Sequence, residues 1–239
     1  MIMKQLILFI TTFLISINLY SQRAYFDYVY VNNIDVQEHI NAEKTFWSKL
    51  HKEAIDRKEK NSWDMWQFRN NGPGDPTTLF LYVHFNKPGF DTYSKSKIFS
   101  QDEISAETEK YLKRVVRTGN LTVSFKDSHG TTPAKFLVAN YMKVDGFDMY
   151  DYEMMEKQLG PNYSDNGRVG WSFAKVLTRL GEKNRYNYIT HDFYNSFEEI
   201  LNARDITPKL TKDQIDGWKQ MLNLRTQVNT QIGELIMSE

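Results

Sequence analysis

Two glutamates occupy positions where a carboxylate is expensive. Glu43 interrupts the apolar stripe Val36, Ile40, Trp47, Leu50 and Ala54, which has helical spacing. Glu156 stands among Met149, Tyr152 and Leu159 in a second stretch of the same kind. A carboxylate on a core-facing stripe must be paired or must face a polar cavity. In a cavity its pKa rises and it can act as general acid or base. The architectural alternative is a structural glutamate bonded to a tryptophan N–H, a tyrosine hydroxyl or an arginine. His84 and His191 lie in β-type runs at matching places, and His84 shares a strand face with Phe80 and Tyr82. A neutral imidazole there can ligate haem iron, shuttle a proton, or simply hold a hydrogen bond.

Other pairs follow. Trp63 and Trp171, with Tyr28 and Tyr141, suit either sheet packing or the lining of an apolar pocket with a polar tip. Arg117 and Arg225 fall where second helices end, so each either meets a helix C-terminus or pairs with a ligand carboxylate or a glutamate. No HxH, HExxH or Cys/His spacing is present, so no metal site is expected. P-loop, GxGxxG and GxSxG patterns are absent too.

These residues come in twos because the chain repeats itself. Placing Tyr28 on Tyr141 puts Val31 on Val144, Asp35 on Asp148 and Glu43-Lys44 on Glu156-Lys157. After a gap of five residues, Ser62-Trp63 falls on Gly170-Trp171, His84 on His191, Phe90 on Phe197, and Val116-Arg117-Thr118 on Leu224-Arg225-Thr226. The expected units are 22–130 and 131–239, each reading β-α-β-β-α-β. First strands are predicted at Ala24 to Val31 and Lys135 to Val144, with N-caps at Asp35 and Asp148. Second strands are predicted at Ser62 to Phe68 and Val169 to Leu177, and third strands at Thr78 to Asn86 and Tyr186 to Phe193. Turns are expected at 70–74 and 180–184. Capping-box spacing opens the second helices (Ser100 with Glu103, Thr211 with Gln214), and last strands run near Asn120 to Lys126 and Val228 to Ile236. Gly160-Pro161 stops the first helix of the second unit early, so a pocket under these helices should be shorter-lidded and more open in that half.

The order is the split βαβ, ferredoxin-like layout, an α+β fold whose sheet leaves one face needing a partner. Strands of the type YVYV and NYMKV, a helix carrying Glu-Lys, and Ser-Trp or Gly-Trp opening the next strand resemble the dimeric α/β-barrel superfamily, in a tandem fused form. The resemblance implies that the two units pack sheet to sheet as an intrachain barrel, making a monomer with pseudo-twofold symmetry. It also implies a family of small monooxygenases, haem enzymes, isomerases and proteins without known activity.

Composition bounds the function. Lys+Arg and Asp+Glu balance at 30 each, which gives no field for nucleic acid or anionic lipid. Residues 1–21 have the layout of a secretory signal: Lys4, then an apolar stretch from Leu6 to Leu19, then Ser21. That stretch is shorter than the roughly 20 residues a membrane-spanning helix needs. With no cysteine, no disulfide can form, and stability must come from a packed core. The expectation is an exported, soluble protein, periplasmic or released and off the membrane once the signal is cleaved. It would bind an apolar or aromatic small molecule, either as a binding protein or as a small cofactor-independent enzyme using Glu43 and Glu156. The rival expectations are a non-catalytic extracytoplasmic module and a haem-binding protein using His84 or His191.

Overall fold

The computed structural model describes residues 22–69, 74–86, 95–180, 185–205 and 211–239. Residues 1–21, Phe90 and most of both expected turns lie outside them.

In the first half, β1 (Arg23–Asn32) is an aromatic and β-branched run that leads into a long helix, α1. The helix has three consecutive segments, Val36–Ala42, Glu43–Trp47 and Ser48–Asp56. The middle segment is π-helical, and the extra residue in its turn brings both Glu43 and Trp47 to the buried side. Then come β2 (Lys60–Phe68), β3 (Thr77–Asn86), α2 (Gln101–Arg114) and β4 (Val115–Gly130). The Ser100–Glu103 capping box opens α2, with both reciprocal bonds formed. The second half repeats the order with β5 (Phe136–Lys143), α3 (Met149–Leu159), β6 (Gly170–Leu180) and β7 (Tyr188–Tyr194), then α4 (Phe197–Asp205), α5 (Lys212–Leu224) and β8 (Thr226–Ser238). Helix α4 was not anticipated from the sequence. Asp35 and Asp148 do precede their helices, but neither side chain makes a capping bond. The Gln214 side chain lies outside the described residues.

Each half forms a four-stranded antiparallel sheet, β4-β1-β3-β2 or β8-β5-β7-β6. The two sheets join at both edges, β4 to β6 and β2 to β8, and close into one eight-stranded barrel. The joins are unequal. One runs from Asn120 to Gly130 on β4, the other only from Asp64 to Phe68 on β2. Because β1 and β5 run in the same direction and occupy matching places, the pseudo-twofold axis lies along the barrel.

Most strands are therefore covered on both faces, while β4 and β8 are exposed where they begin. Alternate residues point into the lumen, where Phe26, Trp66, Phe68, Leu81, Val123, Ala139, Ile189 and Phe193 pack together. The others face outward under the helices. Val29, Trp63, Met65, Phe80 and Tyr82 lie on the outer face of the first half, and Met142, Tyr152, Trp171, Phe173 and Tyr188 on that of the second. The sequence-predicted asymmetry is present: α3 stops at Leu159 and a 3-10 stretch, Gly160–Asn166, carries the chain on.

Gly170 opens β6 against the turn between β4 and β5, and a side-chain carbon there would collide with the Thr131 backbone. Gly170→Ala should lower stability by about 1–3 kcal/mol, the range for overpacked sites. A chemical-denaturation midpoint unchanged from wild type would contradict this.

Candidate functional site

The helix-covered outer faces hold the predicted carboxylates. Glu43 accepts from the Tyr82 hydroxyl at 2.9 Å, and the His39 Nε2 lies 2.6 Å from the same hydroxyl. Because Tyr82 donates to Glu43, His39 donates to Tyr82. Burial pushes the Glu43 carboxyl up to about 8, against the downward pull of Tyr82 and Arg114. Burial, seconded by Arg114, takes His39 down to about 4. In the other half Glu156 accepts from Arg225 at 2.7 Å, beside Tyr152. Its carboxyl is raised by burial despite that cation. Neither glutamate lines either of the two lumen cavities described below. Both are bonded internally, as the architectural alternative expects, and apolar side chains pack beneath α1 and α3.

His84 belongs to the same outer layer. Its Nδ1 is 2.7 Å from the Lys60 Nζ and its Nε2 is 3.2 Å from Asp27. Lys60 also reaches the His51 Nδ1 at 2.9 Å, and burial takes its ammonium down to about 7. Trp63 and Trp171 are buried in this layer and do not reach the lumen cavities.

The strand register corrects two of the sequence pairings. Trp63 pairs with His84, whereas Trp171 pairs with Asp192 and Ser172 with His191. The counterpart of His84 is thus Asp192, and that of His191 is Val83. A shift of one residue reverses the face, so His191 points into the lumen while His84 points out. Arg117 and Arg225 also part company. Helix α2 ends at Arg114, which is buried against Glu38 and Glu107 and takes the place nearest to that of Arg225. Arg117 instead lies within β4 opposite Tyr30, at one mouth of the barrel.

The lumen opens into a cavity at each end. At the end where β1 begins, a cavity of about 340 Å³ is lined by Phe26, Trp66, Phe85, Phe125 and Phe193, with Asp64, Ser172 and His191 among them. Asp64 accepts from the Ser238 hydroxyl at 2.6 Å, and burial raises its carboxyl to about 6. The His191 Nδ1 is 2.9 Å from the Ser172 hydroxyl oxygen, and burial takes the imidazole down to about 3. Its ring packs on Phe26 at 5.9 Å and Phe125 at 6.1 Å. At the far end a larger cavity, about 670 Å³, is lined by Tyr28, Tyr30, Tyr141, Tyr186, Arg117 and Arg185, with Asn120, Asn229 and Gln231. Tyr28 and Tyr141 face each other across the pseudo-dyad with hydroxyls 3.4 Å apart. The lumen thus collects Tyr28, Tyr141, Arg117 and His191 from the sequence-selected residues. Asp64, Ser172, Tyr30, Tyr186 and Arg185 were missed. The alternation of β2 marks Asp64 and Trp66 as sharing a face, but with both faces apolar the pattern does not say which face is the lumen.

Haem does not fit these residues. Both nitrogens of His84 are engaged, and among the described residues no arginine or lysine lines the cavity beside His191 to meet the propionates. The lumen arginines stand at the opposite end.

Fold and site together define a fused dimeric α/β barrel, with both halves of the pseudo-dimer in one chain. Solved structures share this architecture. A candidate monooxygenase from Lactobacillus acidophilus superposes with a TM-score of 0.60 at 9% identity, covering 91% of this chain and 95% of its own. A candidate monooxygenase from Fusobacterium nucleatum gives 0.56 at 10% identity, covering 92% and 95%. An anthrone oxidase-like protein gives 0.55 at 9% identity, covering 92% and 94%. No protein-family model matches the sequence, and no curated protein matches it either. At such identities the likeness concerns the fold, which is compatible with small-molecule binding or catalysis.

Two measurements check the outer-face assignments. Between about 4.5 and about 8 the folded chain keeps a proton on Glu43 that the unfolded chain has released. This contribution to stability therefore falls as pH rises through that window, by at most about 1.4 kcal/mol per pH unit. Glu43→Gln keeps the acceptor for Tyr82 and should remove that part of the slope in urea unfolding; an identical slope in the variant would refute the assignment. Arg225→Met strands Glu156 in the interior and should cost about 3–5 kcal/mol, with Glu156→Gln in the same chain recovering part of the loss.

Proposed function

We propose that this chain binds an apolar aromatic small molecule in the lumen cavity where β1 begins, and that Asp64 and His191 act on the bound molecule by proton transfer. The observation that carries this reading is a mostly aromatic cavity lined by two pKa-shifted groups, one contributed by each half. A carboxyl near 6 is a carboxylate at neutral pH, yet basic enough to take a proton from a weakly acidic C–H or O–H. His191 stays neutral, so it offers a hydrogen bond without bringing a charge into the apolar site. The chemistry needs no cofactor. We further propose that residues 1–21 direct export, so that the working chain begins at Gln22, on the rim of this cavity.

Anthrone, a neutral tricyclic ketone with an acidic methylene, is a suitable probe, since a protein of the same fold is described as anthrone oxidase-like. Binding should quench tryptophan fluorescence through Trp66, and Ser128→Trp at the rim should weaken it at least about tenfold. Deuterium exchange at the bound methylene should rise with pH through about 6 and then level off, because Asp64 must first lose its proton. Asp64→Asn should slow the exchange by about 100-fold or more. No saturable binding would sink the reading; binding with exchange indifferent to Asp64→Asn would reduce it to a carrier. Mass spectrometry of the exported chain should show Gln22 first.

A further inference from the structure

The opposite end of the lumen has a different chemistry, and the argument for it does not depend on the reading of the Asp64 end. Arg117 and Arg185 both line the larger cavity, and among the described residues no carboxylate lines it. The Arg117 guanidinium lies 3.7 Å from the centre of the Tyr30 ring, which fixes its plane while leaving its N–H edge unclaimed by any ion pair among the described residues. Asp75 feels its charge, but that carboxylate is already held by the Thr77 hydroxyl at 2.7 Å and the Thr77 amide at 2.9 Å. Two cations at one mouth, with no matching carboxylate among the described residues, call for an anion from outside.

The walls say what kind of anion. Tyr28, Tyr141 and Tyr186 form the floor, with the Tyr141 and Tyr186 rings 4.8 Å apart and the Tyr141 hydroxyl donating to Gln231 at 2.8 Å. Burial and the neighbouring phenols raise the Tyr28 hydroxyl well above its ordinary value, so the floor is uncharged. Flat rings with hydroxyl tips suit a planar ring system, and a guanidinium edge suits a carboxylate, which it binds through two parallel bonds. The cavity volume of about 670 Å³ lies in the range that takes a drug-sized ligand.

We infer that this end of the barrel is a binding site for aromatic carboxylates, in which Arg117 and Arg185 hold the carboxylate and the tyrosine floor receives the ring.

Titration calorimetry with 2-naphthoate, its neutral amide and inorganic phosphate tests this. Naphthoate should bind, with the amide and phosphate at least about tenfold weaker. The double variant Arg117→Gln, Arg185→Gln, made at exposed side chains, should lose at least about tenfold for naphthoate and nothing for the amide, with its unfolding midpoint unchanged. His191→Ala should leave naphthoate binding intact. Absence of naphthoate binding, equal binding by the double variant, or phosphate binding as well as naphthoate would each overturn the inference. Loss of naphthoate binding in His191→Ala would place the anion at the other end. Failure of anthrone to bind would leave this site standing.

Discussion

Closure of the sheet is the constraint on which the rest of this molecule depends. A four-stranded ferredoxin-like sheet has two open edges and one bare face. Pairing β4 with β6 and β2 with β8 removes the edges of both sheets at once and turns the two bare faces toward each other. The lumen follows from this geometry, and so does its composition. A face enclosed by eight strands must be apolar along most of its length, so any polar group found there needs a specific partner. Ser238 supplies one for Asp64 and Ser172 one for His191.

Closure also separates two problems that a single sheet would confuse. The outer layer, between sheet and helices, absorbs buried charge by internal bonding. His39, Tyr82 and Glu43 form one chain, Tyr152, Glu156 and Arg225 another, and Lys60 with His51, His84 and Asp27 a third. The first two occupy the same place in the two halves but are built differently: a hydroxyl and an imidazole face one glutamate, a guanidinium the other. The difference tracks the backbone, since α1 runs on through a π turn where α3 stops at Gly160. Buried glutamates preserved by different partners read as structure, whereas the lumen groups face space.

Much of the architecture was legible before any coordinates. Strand positions, the repeated order and the shortened helix follow from aromatic and β-branched runs, from the Ser100 to Glu103 spacing and from Gly160-Pro161. The site was less legible because function here depends on the face a strand residue takes, and face has a period of two. Matching His84 with His191 respected spacing to within one residue, and that one residue moved the imidazole from the helix side to the lumen. Glu43 stood out because helical periodicity makes an odd residue visible. Asp64 did not, because β2 is apolar on both faces. Arg117 was assigned to a helix end since nothing local to it announces that β4 begins at Val115.

The duplication explains why polarity is unevenly divided along the lumen. At the end where β1 begins, the register pairs Asp64 with Val83 in one half and Ser172 with His191 in the other. A homodimer would have to carry two copies of each, hence either two buried aspartates or two imidazoles facing across a narrow lumen, and like groups at close range raise each other's cost. Fusion lifts that requirement. One half keeps the carboxyl beside a valine and the other keeps the imidazole beside a serine, so the two groups line one cavity from different halves. At the far end Tyr28 and Tyr141 remain matched, because two neutral hydroxyls can meet on the axis without penalty. Symmetry thus survives where the facing groups are neutral and is broken where they ionise. The cavity where β1 begins accordingly draws different polar side chains from the two halves.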